Sequence, residues 1–278
     1  MELSIITVVK NDFVGLLETR ESVIRQTGIN ITHIIVDAAS SDGSERIAAE
    51  CSDVALPSFE DGGIYQGMQR GSEVANNRYI MFLNSSDVLI GTHVLAEVIR
   101  GLESSGAQWG FGPIIEKTKR NTLVLTDTTG PTDLDHIAWR KTFVPFPTTI
   151  LKKSFFENLG GFSFRYRIAG DFDLLVRASK QSTPFYWSVP LVIFSAGGAS
   201  YTRAPLGWEE EHQIRRNVLN ITWRLNLLSQ VYVNRRKIQW LLGKAIDFFQ
   251  STGIIGKKHW RDRRATNITK SELTRMNN

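Results

Sequence analysis

The stretch YIMFLNSSD, residues 79–87, places an apolar run directly before a polar cluster that ends in one carboxylate. The run Tyr79–Leu83 predicts a short buried strand. Because Asp and Asn are favoured in turns, Asp87 is either an ordinary turn residue or a residue that holds a ligand at the end of a sheet. The sequence around this stretch decides between the two interpretations.

Strands and helices are predicted to alternate on both sides of this stretch. Residues 3–9 (LSIITVV) and 31–36 (ITHIIV) have strand length, and the first run is continuously apolar, as expected of a strand covered on both faces. Ser44 or Asp42 is expected to cap the helix that follows the second strand. Apolar residues recur at helical spacing around residues 14–24, 44–48, 63–76 and 94–102. This alternation predicts a parallel α/β sheet flanked by helices.

Shorter elements are predicted between residues 109 and 200. Strand candidates are 109–111, 123–125, 185–189 and 191–194, and short helices are expected at 154–158 and 171–178. The sequence shows no internal repeat and no low-complexity linker between this part and the first. We therefore expect both parts to share one continuous sheet unit.

The composition is that of an ordinary globular protein of one or two domains, with 278 residues, 42% hydrophobic and 22% charged, which excludes wholesale disorder. The single cysteine, Cys51, cannot form an internal disulfide, which fits a reducing compartment. The N-terminus lacks a basic segment before its apolar residues, so residues 3–9 are interpreted as a strand and not as a signal peptide. No apolar run of about 18 residues is present, so no simple bilayer-spanning helix is expected.

The C-terminal part is strongly basic and has a helical pattern from about Glu209. From Arg203 onward 15 Lys/Arg face 6 Asp/Glu, a net charge of +9, whereas the whole chain carries +5 and residues 1–202 therefore carry −4. This asymmetry indicates an anionic partner, either a nucleic acid or a membrane surface. A basic amphipathic helix with Trp223, Trp240 and Phe249 is typical of an interfacial membrane element. The alternative is that its apolar side packs on the body while the cations are solvated.

Acidic or polar residues follow three of the predicted strands. They are the KND turn at residues 10–12, Asp37 and Asp87. Each is weak evidence alone, because such residues are common in turns. In open α/β sheets, however, ligands bind beyond the carboxyl ends of the strands, where neighbouring loops converge. Together these residues indicate a nucleotide-binding site at one edge of the sheet.

Five motifs in order identify a resemblance to a known family: SIITVVKN, IIVDAASSDGS, EDGGIYQGMQRG, YIMFLNSSD and LGGFSFRYRIAGDFDLLVR. They resemble the inverting family-2 glycosyltransferases, most closely the bacterial branch that builds exopolysaccharide and O-antigen units. The resemblance covers about residues 3–200. It implies a GT-A fold, with a Rossmann-like, mixed and mainly parallel sheet. It divides the chain into a catalytic domain, 1–204, with a nucleotide-binding half (1–108) and an acceptor half (109–204), and a basic helical extension, 205–278.

The resemblance also implies a nucleotide-sugar donor and a divalent metal, Mn²⁺ or Mg²⁺. In the family the strand before the metal ends in a paired acidic motif, which here reads Asn84-Ser85-Ser86-Asp87. Asp87 corresponds to the metal ligand, while Asn84 and Ser86 correspond to donor-binding positions, with Ser86 in place of an acid. These hard cations take oxygen ligands and need only one or two protein carboxylates when a diphosphate and water supply the rest. Asp87 is therefore interpreted as the metal ligand.

Four further positions correspond to the nucleotide pocket of the family: Val8, Lys10, Asp37 and Gly63. Many members carry a second acid after Asp37 that faces uracil, whereas this chain has Ala38. The donor is therefore expected to be UDP- or GDP-linked, with neither nucleotide favoured.

The predicted catalytic base is Asp171, which opens the helix of the IAGDFDLLVR motif. Inverting transfer needs a base that removes the proton of the acceptor hydroxyl, and a carboxylate within hydrogen-bond reach suffices. The residue before it is Gly170, where the family has an acid. Because helix N-termini also favour carboxylates, a purely structural role for Asp171 is the alternative. Asp173 is the weaker candidate.

The sequence thus predicts an inverting glycosyltransferase that transfers sugar from a nucleotide donor to a saccharide acceptor, expected to be lipid-linked, in cell-surface polysaccharide synthesis. Its expected location is the cytoplasmic face of the cell membrane, held peripherally by the basic C-terminal helices, and no nucleic-acid partner is expected. The alternative is a catalytically inactive nucleotide-sugar-binding or scaffold protein, suggested by Ala38, Ser86 and Gly170.

Overall fold

The computed structural model describes residues 1–54, 56–60, 62–118, 122–126, 128, 132–195, 197–198, 202–251 and 265–268, with side chains up to Lys244. The predicted contribution of the Phe249 side chain lies outside this described part. The strands in chain order are β1 (Glu2–Val9), β2 (Asn30–Asp37), β3 (Tyr79–Phe82), β4 (Val88–Leu89), β5 (Trp109–Phe111), β6 (Ile114–Lys117), β7 (Leu123–Thr126), β8 (Ile150–Lys152), β9 (Phe185–Tyr186), β10 (Val192–Ser195) and β11 (Ala265–Ile268).

The helices follow the predicted alternation in the first half and add an unpredicted short helix, α5, in the second. They are α1 (Phe13–Ile24), α2 (Ser44–Cys51), α3 (Ile64–Val74), α4 (Val94–Ser105), α5 (Leu134–Ala138), α6 (Lys153–Asn158), α7 (Gly170–Gln181), α8 (Ala204–Leu219) and α9 (Trp223–Ser251), and a 3₁₀ turn lies at Phe146–Thr148.

A mixed six-stranded sheet has the order β2-β1-β3-β8-β5-β9. β1 runs parallel to both β2 and β3, and β5 runs parallel to β9, while β8 is antiparallel to its two neighbours. Its strands come from both predicted parts of the chain. The parallel strands β1, β2 and β3 therefore present their carboxyl ends at one shared edge.

A second sheet, with the order β11-β7-β6-β10-β4, departs from the expectation of one continuous sheet unit. The break lies at Gly112 and Pro113, between β5 and β6. Proline cannot donate a ladder hydrogen bond, and a side chain at Gly112 would overlap the indole of Trp187. The chain therefore leaves the first sheet at this point and continues in the second.

The core covers both faces of β1, as its continuous apolar run predicts. Ile6 and Val8 pack with Phe82 on one face, and Leu3 and Ile5 pack with Met81 on the other. Each fully buried aliphatic side chain contributes about 1.5–3 kcal/mol. This packing fixes the edge at which the loops after β1, β2 and β3 meet.

The start of α2 differs from the expected capping by Ser44 or Asp42, since the N-cap is Gly43 with φ +100°. Asp42 instead accepts hydrogen bonds from the backbone N–H groups of Phe13 and Ser44, and the Ser44 hydroxyl accepts one from the Asp12 N–H. These contacts join the beginnings of α1 and α2. They hold the turns after β1 and β2 together.

The C-terminal helices dock on the body through α8 and leave one face of α9 exposed. Ile214 of α8 is fully buried in a cluster with Phe172 and Val176 of α7. α9 packs against α8, Val233 of α9 is fully buried, and His212 Nδ1 lies 2.9 Å from Ser229 Oγ. No helix in the described part of the chain combines the length and hydropathy needed to cross a bilayer.

Candidate active site

A cavity of about 820 Å³ lies at the edge where β1 and β3 end. The loop after β3 contributes Asn84, Ser85 and Asp87 to its lining, and the start of α7 contributes Asp171. Two of the carboxylates that the sequence singles out thus share one cavity although they are 84 positions apart in the chain.

The loop after β3 has a fixed shape. Ser86 has a φ of +70°. Its N–H donates to the carbonyl of Gly15 at 3.2 Å, and its hydroxyl donates to Asp12 Oδ2 at 2.8 Å. A side chain at Gly15 would collide with the Ser86 hydroxyl and the Asp12 carboxylate. The loop therefore directs Ser85, and not Ser86, to the cavity. The Ser86 side chain is used to hold the loop against the first β–α turn.

Asp87 is 2% exposed and incompletely hydrogen-bonded. Its Oδ1 accepts a hydrogen bond from the Ser195 N–H at 3.2 Å, whereas within the described residues Oδ2 and the neighbouring Asn84 Oδ1 are buried without a donor. Burial raises the pKa of the Asp87 carboxyl to about 8. A buried carboxylate oxygen without a partner is costly, and a cation would offset that cost.

These two oxygens fit a hard divalent cation. Mg²⁺ and Mn²⁺ prefer oxygen ligands, and a protein often supplies only one or two of them. Within the described ranges no three His, Cys, Asp or Glu side chains converge on a possible metal position. A cation at Asp87 would therefore depend on a substrate and water for its remaining ligands.

Asp171 is the second residue of α7, which begins at Gly170 after the N-cap Ala169. Its Oδ1 accepts hydrogen bonds from the Phe172 N–H at 2.7 Å and from the Tyr65 hydroxyl at 3.1 Å. Burial raises the pKa of the Asp171 carboxyl, and the nearby Arg140 guanidinium opposes that rise. Asp171 is thus a half-buried carboxylate that is held by two donors and borders the cavity.

Tyr65 explains why glycine precedes Asp171. A Cβ at Gly170 would lie 2.7 Å from the Tyr65 ring, and the single proton of the Tyr65 hydroxyl is shared between the Ile168 carbonyl at 2.8 Å and Asp171 Oδ1 at 3.1 Å. An acid at position 170 would displace the ring. The departure from the family pattern at Gly170 therefore makes room for a donor to Asp171.

Arg140 connects Asp171 to α8. Its guanidinium donates to Glu211 Oε1 from Nη2 at 2.9 Å and lies 4.3 Å from the centre of the Phe172 ring. Glu211 also pairs with Arg215, whose Nη2 is 3.1 Å from Oε2. Arg140 itself has a φ of +54°, an uncommon backbone conformation for a residue other than glycine. This network fixes a positive charge next to the predicted base.

Glu210 holds the loop in front of α7. Its buried carboxylate accepts hydrogen bonds from the backbone N–H groups of Arg167, Ile168 and Ala169, at 2.8–2.9 Å. Arg140, Glu210 and Glu211 were not predicted from the sequence. The acidic run 209–211 on a helix has the pattern of a solvated face, so no sequence signal separates these residues from surface charges.

The remaining predicted residues lie near the same sheet edge but do not line the cavity: Val8, Lys10, Asp37, Gly63 and Ser86. Asp37 is buried at the end of β2, where its Oδ2 accepts from the Ser40 N–H at 3.0 Å and from the Ser58 hydroxyl. Lys10 pairs with exposed Glu60 at 3.9 Å. Gly63 precedes α3 with a φ of +134°, and the Val8 carbonyl accepts from the Ser85 N–H at 3.4 Å.

The C-terminal helices also contribute to the cavity. Trp208 of α8 and Arg236 and Trp240 of α9 line it, with the Arg236 guanidinium 4.8 Å from the centre of the Trp208 ring. Trp240 was predicted at a membrane interface, and the structure places its side chain against the cavity. Trp223, the other tryptophan of the predicted membrane-interface element, is 71% exposed.

Comparison with known proteins was made by sequence and by structure. The sequence model described as glycosyl transferase family 2 matches residues 4–160, more than half of the chain. An uncharacterised glycosyltransferase of Mycobacterium tuberculosis is 29% identical over 216 residues, which cover 73% of this chain and 78% of the relative. A PGL/p-HBAD biosynthesis glycosyltransferase of Mycobacterium bovis is 24% identical over 167 residues, covering 56% of this chain and 61% of that relative.

Two solved structures share the fold. TarS of S. aureus, residues 1–349 in complex with UDP-GlcNAc, aligns with a TM-score of 0.61 at 13% identity, covering 81% of this chain and 69% of that chain. Mannosyltransferase PcManGT of Pyrobaculum calidifontis, in complex with GDP-Man and Mn²⁺, aligns with a TM-score of 0.59 at 14% identity, covering 92% and 76%. At these identities the likeness concerns the fold alone, and it confirms the predicted GT-A fold.

Proposed function

This chain belongs to glycosyltransferase family 2, and we propose that its cavity transfers a sugar, with inversion, from a nucleotide-sugar donor to a saccharide acceptor. The observation that carries the proposal is the presence of Asp87 and Asp171 in one cavity of about 820 Å³. The first suits a cation beneath a diphosphate, and the second suits proton removal from an alcohol. A cavity of this size is typical of small-molecule sites.

The donor end is proposed to bind a UDP- or GDP-linked sugar together with Mn²⁺ or Mg²⁺. Asp87 Oδ2 and Asn84 Oδ1, which are buried without donors among the described residues, would hold the cation. When bound, such a cation neutralises charge on a departing diphosphate. Solved structures of the same fold in complex with UDP-GlcNAc and with GDP-Man and Mn²⁺ support this donor class.

The nucleoside is proposed to lie along the edge formed by Val8, Lys10, Asp37 and Gly63. Asp37 keeps a buried Oδ1 that has no donor among the described residues and would accept from a base or ribose. The role of Ser86 differs from these four, since its hydroxyl is bonded to Asp12. We assign Ser86 to holding the loop in shape, so that Asn84 and Asp87 stay aligned.

Asp171 is proposed as the general base. As the acceptor oxygen forms its bond to the anomeric carbon, its proton passes to Asp171, and the bond from that carbon to the diphosphate oxygen breaks with its electron pair. The raised pKa of Asp171 brings its basicity closer to neutral pH, which favours proton transfer at that pH. Tyr65 orients the carboxylate through the hydrogen bond to Oδ1.

The acceptor is proposed to be a lipid-linked saccharide, in exopolysaccharide or O-antigen synthesis at the cytoplasmic face of the cell membrane. Support comes from α9, on which a series of apolar side chains is exposed: Leu227 58%, Leu228 62%, Val231 55%, Ile238 59%, Leu241 60% and Leu242 58%. The exposed cation Arg235 lies within this series. An apolar face with flanking cations fits an anionic bilayer surface, where each cation contributes roughly 1 kcal/mol.

Activity is tested with wild type and Asp171→Asn, Mn²⁺ and a panel of UDP- and GDP-sugars. We expect calorimetry to detect binding of at least one donor by both proteins, and release of nucleoside diphosphate to fall about 10²–10⁴-fold in the variant. Asp135→Asn, which alters an exposed carboxylate paired with Lys141, is the matched control. Donor binding without release, unchanged by Asp171→Asn, would instead favour a nucleotide-sugar-binding scaffold.

Membrane association is tested by sedimentation with vesicles of phosphatidylcholine, with and without phosphatidylglycerol. Wild type is expected to sediment with the anionic vesicles, and Leu241→Glu is expected to remain in the supernatant because it places a charge on the apolar face. Gln239→Glu adds the same charge at an exposed polar position and is the control. Equal sedimentation of both variants would contradict membrane binding through this face.

A further inference from the structure

The lining of the cavity includes an aromatic and basic wall, formed by Trp208, Arg236, Trp240 and Arg167, that the proposed chemistry does not use. Trp208, Arg236 and Trp240 belong to α8 and α9, and Arg167, in the loop before α7, lines the same cavity. Arg236 and Trp240 are four residues apart on one helix, so they lie on the same face. The wall is fixed to α7, the helix that carries the predicted base, in two ways. α8 packs on α7, and Glu210 of α8 holds the loop that contains Arg167.

The arginines that line the cavity differ in whether their charge is neutralised. Arg140 is paired with Glu211, as described above. In the part of the chain that the structure describes, no carboxylate forms an ion pair with Arg167 or Arg236, and both side chains are exposed. Arg236 stacks on Trp208 and its Nη1 donates to the Tyr232 hydroxyl at 3.2 Å, which holds the guanidinium in place. The lining of the cavity therefore includes two guanidinium groups that no carboxylate of the described residues neutralises.

The combination of two guanidinium groups and two indoles suits a sugar linked to phosphate. Guanidinium groups bind phosphate oxygens with paired, charge-assisted hydrogen bonds. Indole rings offer a large, rigid apolar surface, on which the C–H face of a sugar ring can pack. A neutral oligosaccharide would need the indoles but would leave the arginines without an anionic partner.

We propose that Trp208, Arg236 and Trp240, together with Arg167, form the acceptor subsite, and that they bind a saccharide whose reducing end carries a diphosphate. The proposal rests on the proposed function and specifies its acceptor. The donor diphosphate has a separate place at the other end of the cavity, at Asp87, where a cation would meet it. The acceptor sugar lies over the indoles with its hydroxyl toward Asp171, and its diphosphate meets Arg236 and Arg167.

The two faces of α9 explain how such an acceptor reaches the cavity. Arg236 and Trp240 face the cavity, while Leu241 and Leu242 are 60% and 58% exposed on the outside of the same helix. A lipid attached to the diphosphate would leave the cavity next to this apolar face. Residues 236 to 242 are six steps of the helix, so the two sets lie within roughly 9 Å of each other along its axis.

The test measures binding of soluble acceptor mimics in EDTA, so that the metal-dependent donor end does not contribute. The probes are N-acetylglucosamine, glucose and galactose, each as a hexyl diphosphate and as the matched hexyl glycoside, titrated calorimetrically into the full chain. We expect at least one diphosphate probe to bind about tenfold or more tightly than its glycoside. Arg236→Gln should abolish this difference, and Trp240→Ala should weaken both probes.

Matched variants separate the subsite from general surface effects. Arg235→Gln removes an exposed charge that does not line the cavity, and Trp223→Ala removes an exposed indole of the same helix. Both should bind the probes like wild type, and all variants should keep the wild-type melting temperature. Equal affinity for diphosphate and glycoside, no binding of any probe, or unchanged binding in Arg236→Gln overturns the proposal.

Donor measurements distinguish failure of the subsite from failure of the proposed function. With Mn²⁺ present, UDP or GDP should bind wild type and Arg236→Gln equally. If donor binding and Asp171-dependent turnover hold while the probes fail, the acceptor subsite alone is wrong. If Arg236→Gln loses donor affinity and keeps probe affinity, the wall serves the donor and the proposal is likewise overturned. Absence of any donor binding would contradict the proposed function itself.

Discussion

The two ends of the cavity are built in different ways. At the donor end, Asn84 and Asp87 lie in one four-residue loop, which is fixed by Asp12 in the turn after β1. At the base end, Asp171 is surrounded by Tyr65 of α3 and by Arg140, which follows α5 and is in turn bound to Glu211 of α8. The residues of the donor end that would hold a cation come from one loop, which Asp12 and Ser195 support, whereas the groups around Asp171 at the base end come from several different segments.

This difference has a consequence for the C-terminal helices. Removing α8 would take away Glu210 and Glu211, and with them the acceptors that hold the loop before α7 and the Arg140 guanidinium. The donor end contacts neither residue in the described structure. Substitutions in α8 should therefore change turnover with little effect on donor affinity, while substitutions in the loop after β3 should change both.

Asp87→Asn at the donor end is expected to have a large effect on both donor binding and turnover. Asparagine has nearly the same shape and can still accept the hydrogen bond from the Ser195 N–H, so the fold should persist. Loss of the carboxylate removes the protein charge that a cation would meet, so Mn²⁺-dependent donor affinity should disappear and turnover should fall about 10³-fold. Calorimetry with and without Mn²⁺ measures this, and donor affinity that keeps its full Mn²⁺ dependence would contradict the assignment.

At the base end, Glu210→Gln should separate turnover from binding. The variant leaves at least one of three backbone N–H groups without its acceptor, which costs about 1–3 kcal/mol of stability. A looser loop displaces Asp171 from the acceptor hydroxyl. We expect this displacement to raise the activation free energy by at least about 1.4 kcal/mol, which lowers turnover at least about tenfold. Glu209→Gln, which loses only the ion pair with Lys237, is the matched control. A variant that loses donor affinity and keeps turnover would contradict the separation.

Acidification should change the stability of the nucleotide-binding half (residues 1–108) through His33 in β2. Arg20 donates to Nδ1 of this buried ring at 3.1 Å, so Nε2 carries the proton and donates to Thr7 Oγ1 at 2.9 Å. Burial, with Arg20 in second place, lowers the pKa of His33 to about 3. Below pH 6.5 the His33 ring of the unfolded chain binds a proton that the folded chain does not, so the stability contributed by this residue falls as the pH decreases toward 3.

The expected contribution of His33 is a loss of about 2 kcal/mol at pH 5 relative to pH 7.5, while the raised pKa of Asp87 acts in the opposite direction. His33→Gln should be less stable at pH 7.5, and urea unfolding should show that acidification to pH 5 changes its stability by about 2 kcal/mol more favourably than that of the wild type. His93→Gln, at an exposed histidine, should keep the wild-type difference. An unchanged difference in His33→Gln would show that other groups produce the acid sensitivity.

The smallest effect is expected for Arg140→Gln, which tests electrostatics at the base end. Burial raises the pKa of Asp171, and loss of the Arg140 charge should raise it further, because the guanidinium favours the ionised carboxylate. A base acts when deprotonated, so the rate rises with pH through its pKa, and this rise should move to higher pH in the variant. Arg140→Lys keeps the charge and should shift it less. A pH–rate profile of donor hydrolysis that does not move would contradict the role of Arg140.

The residues of the donor end could be predicted from the sequence, whereas many residues of the base end could not, for a physical reason. Asn84 and Asp87 follow an apolar strand directly, so their position is readable from a short window. Glu210 and Glu211 bind groups that lie about 40 and 71 positions away, and a helical run of three glutamates has the same pattern whether it is solvated or buried. Ser86 belongs to the right loop, but only the φ of +70° turns its hydroxyl toward Asp12.

The fold was predictable where elements are long or strongly periodic. β1, β2 and the helices α1, α3 and α4 lie within two residues or so of their predicted places. β6 and β8 were missed because runs of three or four apolar residues carry no period that distinguishes a strand from a loop. The second sheet follows from the break at Gly112 and Pro113, which strand prediction alone does not indicate.

The central claim, that Asp87 and Asp171 act on one donor across one cavity, is tested most directly by diffraction from crystals grown with Mn²⁺ and UDP or GDP. The anomalous signal locates the manganese without reference to any assumed ligand. We predict a peak within about 2.5 Å of Asp87 Oδ2, with the nucleotide diphosphate on the cavity side of the ion that faces Asp171. A manganese peak at another carboxylate, or a diphosphate outside this cavity, would contradict the claim.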